Sequence, residues 1–218
     1  MDDAQAVAGA QPLGRRERNK LRVKSRLYDS ALQLFTEKGY EQTSVDEIAE
    51  AADVARGTFF NHFQRKEDLI AAWGESRREY LRRGLAATDV EEGTSLQSRL
   101  ELCMGLLARI NTEERAVTRA MLTAWVKAGR PLYEEPYAGE LFAGAVETAQ
   151  RRGEIAPTVD PLRVGNLLRD AYLGTLYRWT QLPEGEFHLD AELRAITDIV
   201  LTGIAGAGAA DAGRDSRD

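Results

Sequence analysis

The stretch TSVDEIAEAADVARGTFFNHFQRKEDLI, Thr43 to Ile70, decides how this chain is read. Ser44-Val45-Asp46-Glu47 has the pattern of a capping box, in which the serine hydroxyl accepts from the Glu47 amide while Glu47 reaches back. It opens a short helix bearing Val45, Ile48, Ala49 and Ala52. Asp53-Val54-Ala55 breaks that helix, and a third short helix is expected from about Arg56 to Phe63. Two short helices joined by about three residues have helix-turn-helix dimensions. In that arrangement the second helix enters a DNA major groove and the first crosses the backbone. The second helix here presents Arg56, Gly57, Thr58, Asn61 and His62, while Phe59 and Phe63, four apart, face inward. Arg56 suits guanine or phosphate, and Asn61 and His62 suit base edges. Gly57 lets the backbone approach phosphate closely.

Upstream, Arg15 to Arg26 reads RRERNKLRVKSR, seven basic residues against Glu17 alone. Two readings fit such a run: a solvated helix face, or a phosphate-contacting patch. Arg15, Arg16 and Arg18 suit an arm reaching an adjacent groove or phosphate, whereas Lys20, Arg22 and Lys24 suit a solvated face. The formal net charge of −6 and the pI near 5.2 argue on their face against nucleic acid. That average hides the N-terminal patch, because residues 71–218 carry 18 basic and 23 acidic side chains.

The apolar period is helical almost throughout. Helices are expected at about 16–38, 66–87, 95–110, 114–128, 134–152, 161–181 and 189–204, besides the two short ones. Pro161 behind Asp160 is a first-turn proline after an N-cap. Nine or so helices without a strand make an all-α chain. The domain reading is an arm at 1–14, a helix-turn-helix domain at 15–70, a larger helical body at 71–204 and a loose tail at 205–218, whose Ala, Gly and charge carry no apolar period.

Other classes find little support. The 218 residues are 43% hydrophobic and 29% charged, ordinary globular usage, and no run approaches the roughly 20 apolar residues of a membrane span. HExxH, G-x-S-x-G and P-loop patterns are missing from the sequence, so no catalytic residue, cofactor or metal site is expected and an enzyme reading is set aside. His188, beside Phe187 and Asp190, reads as a surface histidine. The polar stretch Met1 to Gly14 and the single cysteine, Cys103, lead to the expectation of a cytoplasmic address. Cys103, mid-helix among Leu102, Met104 and Leu106, reads as a buried, inert thiol.

Thr43 to Ile70 closely resembles the DNA-binding domain of TetR-family transcriptional regulators. The matching features are the basic first helix, Phe35 with Gly39-Tyr40, Thr43-Ser44, Ile48-Ala49, Gly57-Thr58, Phe63 and Lys66-Glu67-Asp68-Leu69. The resemblance implies that Thr43 and Lys66 contact phosphates. The expected DNA-binding set is thus Arg15, Arg16, Arg18, Thr43, Ser44, Arg56, Gly57, Thr58, Phe60, Asn61, His62 and Lys66. Three positions depart from the family pattern. Ala55 stands where a capping serine is common, Arg65 replaces another serine, and Phe60 replaces a tyrosine whose hydroxyl could reach phosphate.

The resemblance also implies a homodimer built from the last two helices, on a palindromic double-stranded operator with half-sites about 34–36 Å apart or a multiple. The apolar surfaces that suit this include Leu168, Tyr172, Leu176 and Trp179 on one helix and Ile196, Ile199 and Val200 on the next; core packing is the other reading of the same pattern. Family members commonly hold a small-molecule inducer in the middle helices. Met104, Met121, Trp125, Tyr137 and Phe142 are the expected pocket, with ordinary core as the alternative. The function implied is a ligand-responsive repressor. The competing reading is a helical interaction module, or an enzyme, whose helix-turn-helix no longer binds DNA.

Overall fold

The computed structural model describes residues 14–88, 93–129 and 137–212. Among them the chain is helical with no strand, in the order α1 Arg15–Lys38, α2 Val45–Ala51, α3 Arg56–Phe60, α4 Asp68–Ala87, α5 Leu96–Glu113, α6 Arg115–Lys127, α7 Tyr137–Arg151, α8 Pro161–Gln181 and α9 Leu189–Ala212. The chain divides into two compact units, the first ending at Leu69 and the second beginning at Ile70. No helix of the described residues is long and apolar enough to cross a membrane.

In the first unit α1 packs on α2 and α2 on α3. Leu27, Ala31 and Phe35 recur at i, i+4 and i+8, so one face of α1 is buried, and Ile48, Ala49, Phe59 and Phe63 complete the core of this unit. Phe59 is fully buried, with its ring centroid 5.7 Å from that of Phe63. Burying a side chain of that size contributes about 1.5–3 kcal/mol. The predicted third helix is shorter than expected and ends at Phe60. Asn61 caps it, and the next turn swings Phe63 into the core. The fourth begins at Asp68 rather than Lys66, because the Asp68 carboxylate accepts from the Gln64 and Arg65 amides at 2.8 and 3.0 Å.

In the second unit α7 and α8 make the most extensive helix pair, α5 packs on α9 and α7, and α8 also meets α9 and α6. Leu100, Met104, Met121, Leu122, Phe142, Val146, Leu168 and Leu193 fill the centre. Asp160 caps α8 through the amides of Leu162 and Arg163, with Pro161 as the first helical residue. The C-terminal reading needs correction: α9 continues to Ala212, where a loose tail was expected from 205. Five alanines between Ala205 and Ala212 supply the helix propensity that apolar periodicity alone does not register. The expected arm, 1–14, and residues 213–218 lie outside the described residues apart from Gly14, which caps α1.

Candidate nucleic-acid interface

The turn between α2 and α3 is built by backbone bonds from Ala52 to Ile48, Asp53 to Glu50 and Val54 to Ala49. Asp53 sits at φ 51°, the left-handed region that aspartate tolerates better than most side chains. Arg26 of α1 donates to the Asp53 carbonyl at 3.1 Å and braces the turn. The α2 capping box forms as read: Ser44 Oγ accepts from the Glu47 amide, and the Glu47 carboxylate accepts from the Ser44 amide at 2.8 Å.

Lys38 also pairs with Glu47. The hydrogen bonds from Lys38 and then Ser44 hold the Glu47 carboxyl at about 2, below its ordinary 4.5. A depressed carboxyl contributes stability that is complete above the unfolded value and disappears as pH falls through the folded one. Glu47→Gln is therefore expected to lower the melting temperature at pH 7. The gap to wild type should narrow between about pH 4.5 and 2 in parallel thermal melts. A gap independent of pH would show that the carboxylate charge is idle.

On α3, Arg56, Gly57, Phe60 and Asn61 are exposed, and Thr58 and His62 half-buried. A Cβ at Gly57 would meet nothing within 4 Å, so its backbone is open to close approach. Arg56 is not free. Its Nη1 donates to Asp46 at 2.9 Å, and its guanidinium lies 5.8 Å from the Phe60 ring centroid. Phe60 is 45% exposed and offers an apolar face where a hydroxyl would be the usual group. Ala55 makes no side-chain cap on α3, so the first amides of this helix depend on solvent or on an incoming phosphate. His62 is pushed below its ordinary 6.5, by burial first and then by the Lys20 and Lys24 charges, and is neutral at pH 7.

Two expectations change here. Thr43 is 1% exposed and its hydroxyl donates to the Gly39 carbonyl at 2.9 Å, so it packs the loop instead of facing outward. Lys66 Nζ donates to the carbonyls of Tyr40 and Thr43 at 2.7 and 2.9 Å and sits 4.1 Å from the Tyr40 ring centroid. It is a loop clamp with at most one N–H left for a phosphate. The Tyr40 hydroxyl donates to Glu67 at 2.9 Å and completes the clamp. Arg15, Arg16 and Arg18 are exposed but belong to the first turns of α1, not to an extended arm. A long helix propagates readily once nucleated, and Gly14 caps it only at that point.

Sequence reading missed the positioning contacts of Asp46, Arg26 and Tyr40, which hold Arg56, the turn and Lys66 respectively. Lys24 is exposed, as expected, and lies 5.7 Å from the Phe63 ring centroid with its charge beside His62.

In the second unit, Leu168, Tyr172, Leu176 and Trp179 are each 6% exposed or less within a single chain. They are core, and this corrects the expected interface. The outward apolar groups of α8 and α9 include Leu162, Leu167, Tyr177 and above all Ile199, 72% exposed; Ile196 and Val200 are half-buried. An α-helix buried on one side and apolar on both gives no pattern that separates the inner face from the outer.

Of the expected pocket residues, Met104, Met121 and Phe142 are fully buried and Trp125 half-buried, while the Tyr137 side chain lies outside the described part. None of the four described ones lines an open cavity of about 540 Å³ between the α6 start and the α8–α9 turn, which is walled by Arg115, Trp179, Phe187, His188, Asp190 and Arg194. Burial pushes the Cys103 thiol up to about 11, so it stays protonated and inert.

The chain matches known proteins over both units. The family model for bacterial regulatory proteins of the tetR family matches residues 27–73. The transcriptional repressor KstR of Mycolicibacterium smegmatis is 33% identical over 182 residues, 80% of this chain and 83% of that protein. KstR of Mycobacterium tuberculosis is 30% identical over 80% of this chain and 77% of its own length. Among solved structures, Thermus thermophilus FadR, a TetR-family repressor in complex with lauroyl-CoA, superposes with a TM-score of 0.63 at 26% identity, covering 83% of this chain and 94% of that one. With its helix-turn-helix formed and its reading helix exposed, the chain belongs to the tetR family of bacterial regulatory proteins and is a DNA-binding transcriptional regulator.

Proposed function

We propose that the protein is a ligand-responsive repressor that binds a palindromic operator as a homodimer in the cytoplasm and catalyses no reaction of its own. The observation that carries the reading is the exposed face Arg56-Gly57-Phe60-Asn61, set on a buried helix-turn-helix core beside a basic α1. Arg56 and Asn61 read base edges, and Ser44, Lys66 and the α1 arginines hold phosphates. The relatives support repression, since both KstR proteins bear that name. They also support an inducer, since lauroyl-CoA is bound in the Thermus structure. A ligand acts by its differential affinity for the bodies that do and do not fit two half-sites.

The test is selection of genomic fragments by the purified protein at stated salt, followed by titration with lauroyl-CoA. Salt-dependent binding to a near-palindrome supports the reading, and binding to no duplex defeats it.

A dimer through the outward face of α8 and α9 makes a separate prediction. Ile199→Glu is expected to give a monomer by light scattering and to weaken operator binding at least about tenfold, because two linked heads bind far better than one. Leu162→Glu, 49% exposed at the start of α8 and outside the proposed patch, should leave the mass unchanged. A dimer that survives Ile199→Glu would place the interface elsewhere.

A further inference from the structure

Among the described residues of the second unit three N–H donors are buried with no acceptor: Trp125 Nε1 on α6, and Trp73 Nε1 and Arg77 Nε on consecutive turns of α4. Trp73 is 6% and Arg77 9% exposed. The guanidinium lies 5.0 Å from the Trp73 ring centroid, so the two side chains are stacked and locked together. Arg77 Nη2 donates to Glu114 at 2.8 Å, at the junction of α5 and α6. Glu114 itself is 45% exposed at its side chain, so one half-solvated carboxylate balances a cation that is nine-tenths buried. Close by in the charge field of Arg77 stands Tyr172 of α8, which accepts from Asn111 at 2.9 Å and gives its own proton to no acceptor among the described residues. Burial pushes this phenol up to about 12, so the proton stays on.

Proteins rarely leave buried donors unpaired, and a charged one is the costliest to strand. These groups are all donors, their one cation is balanced only by a half-solvated carboxylate, and they stand where α4, α5, α6 and α8 contribute side chains. We infer that Trp73 and Arg77 form the anchor for the carboxylate of an amphipathic acid bound inside the second unit. The inference rests on the ligand-responsive reading above and gives the ligand its chemical class and its address. The Arg77 Nε–H and the Trp73 indole N–H donate to the carboxylate, whose charge complements the guanidinium beyond what Glu114 supplies. The site lies on α4, the helix that begins in the DNA-binding unit at Asp68 and continues into the second.

The test follows the indole proton directly. The full-length protein labelled with nitrogen-15 carries three tryptophans, and Trp73→Phe assigns the Trp73 indole signal. Laurate, hexanoate, dodecan-1-ol and lauroyl-CoA are added in separate titrations, with operator affinity measured in parallel. Laurate is expected to move the Trp73 indole signal downfield and to bind about tenfold or more tightly than the alcohol of equal length. Trp73→Phe should weaken laurate about tenfold or more, the worth of one hydrogen bond to a charged group.

An indole that shifts while operator affinity stays constant supports the anchor and defeats the inducer reading. Operator release by lauroyl-CoA or laurate with an unmoved indole keeps the inducer reading and overturns the anchor. An indole proton that exchanges with a bound water and responds to no acid overturns it as well, since water alone then satisfies the donors.

Discussion

Replacing Arg56 by alanine is expected to weaken operator binding by about ten- to a hundredfold, the ~1–3 kcal/mol of a bidentate base contact, and to relax preference at one base pair of each half-site. Arg56 is exposed at the first position of α3, held in line by Asp46 and lying against the Phe60 ring. The Asp46 pair is exposed on both sides, at 62% and 59%, so it is worth little to stability, and exchanging it for a guanine or phosphate costs little. It does restrict where the guanidinium points before DNA arrives.

Lys66→Ala should behave differently. It removes a phosphate contact and also the clamp on the Tyr40 and Thr43 carbonyls, so affinity should fall for every sequence alike, with a shallower salt slope and a lower melting temperature for the first unit. The measurement is a titration of both variants on the selected operator and on single-base-pair variants of it at two salt concentrations. Arg56→Ala with unchanged sequence preference would mean that Arg56 meets only phosphate. Unchanged affinity in both variants would remove this face from DNA binding altogether.

The contrast between these two residues also shows what a sequence discloses. The capping box at Ser44 and Glu47, the uncapped Ala55 and the Asp160-Pro161 start of α8 were legible because each is a bond between residues at most a few positions apart. The inward faces of Phe59 and Phe63 were legible from helical spacing. Partners separated by ten or more residues leave no local trace. Asp46 finds Arg56, Lys66 finds the Tyr40 and Thr43 carbonyls, and Arg77 finds Glu114 only once the helices pack.

Thr43 illustrates the cost. Family likeness assigns it an outward role, yet its hydroxyl is spent on Gly39 in the folded loop. The two faces of α8 show a different blindness: Leu167 and Leu168 are neighbours of one chemistry, one 54% exposed and the other fully buried, and only the position of the helices packed on α8, α7 foremost, decides between them.

That position depends on one atom that is missing. Gly165 of α8 is buried, and a Cβ built there would stand 2.1 Å from the Gly139 carbonyl oxygen and 2.8 Å from the Ala143 amide nitrogen, both on α7. The helices touch backbone to backbone, as only glycine allows. Gly165→Ala must therefore push α8 away from α7 along the most extensive helix pair of the unit. Such overpacking is expected to cost on the order of 3 kcal/mol, at the upper end of what inserted methyls cost in cores. For a chain of this size that lowers the melting temperature by about 6–12 °C.

Gly144→Ala, in the middle of α7 with nothing within 4 Å of the added carbon, is the matched control. It should be neutral, or stabilising by about 0.5–1 kcal/mol, because alanine suits a helix better than glycine. Adding Ala143→Gly to Gly165→Ala removes the side-chain contact at 3.1 Å but neither backbone contact, so the double variant should stay destabilised. Full recovery in that double variant would show that the helices can slide apart cheaply, and the α7–α8 seam would then not be what fixes the outward face of α8.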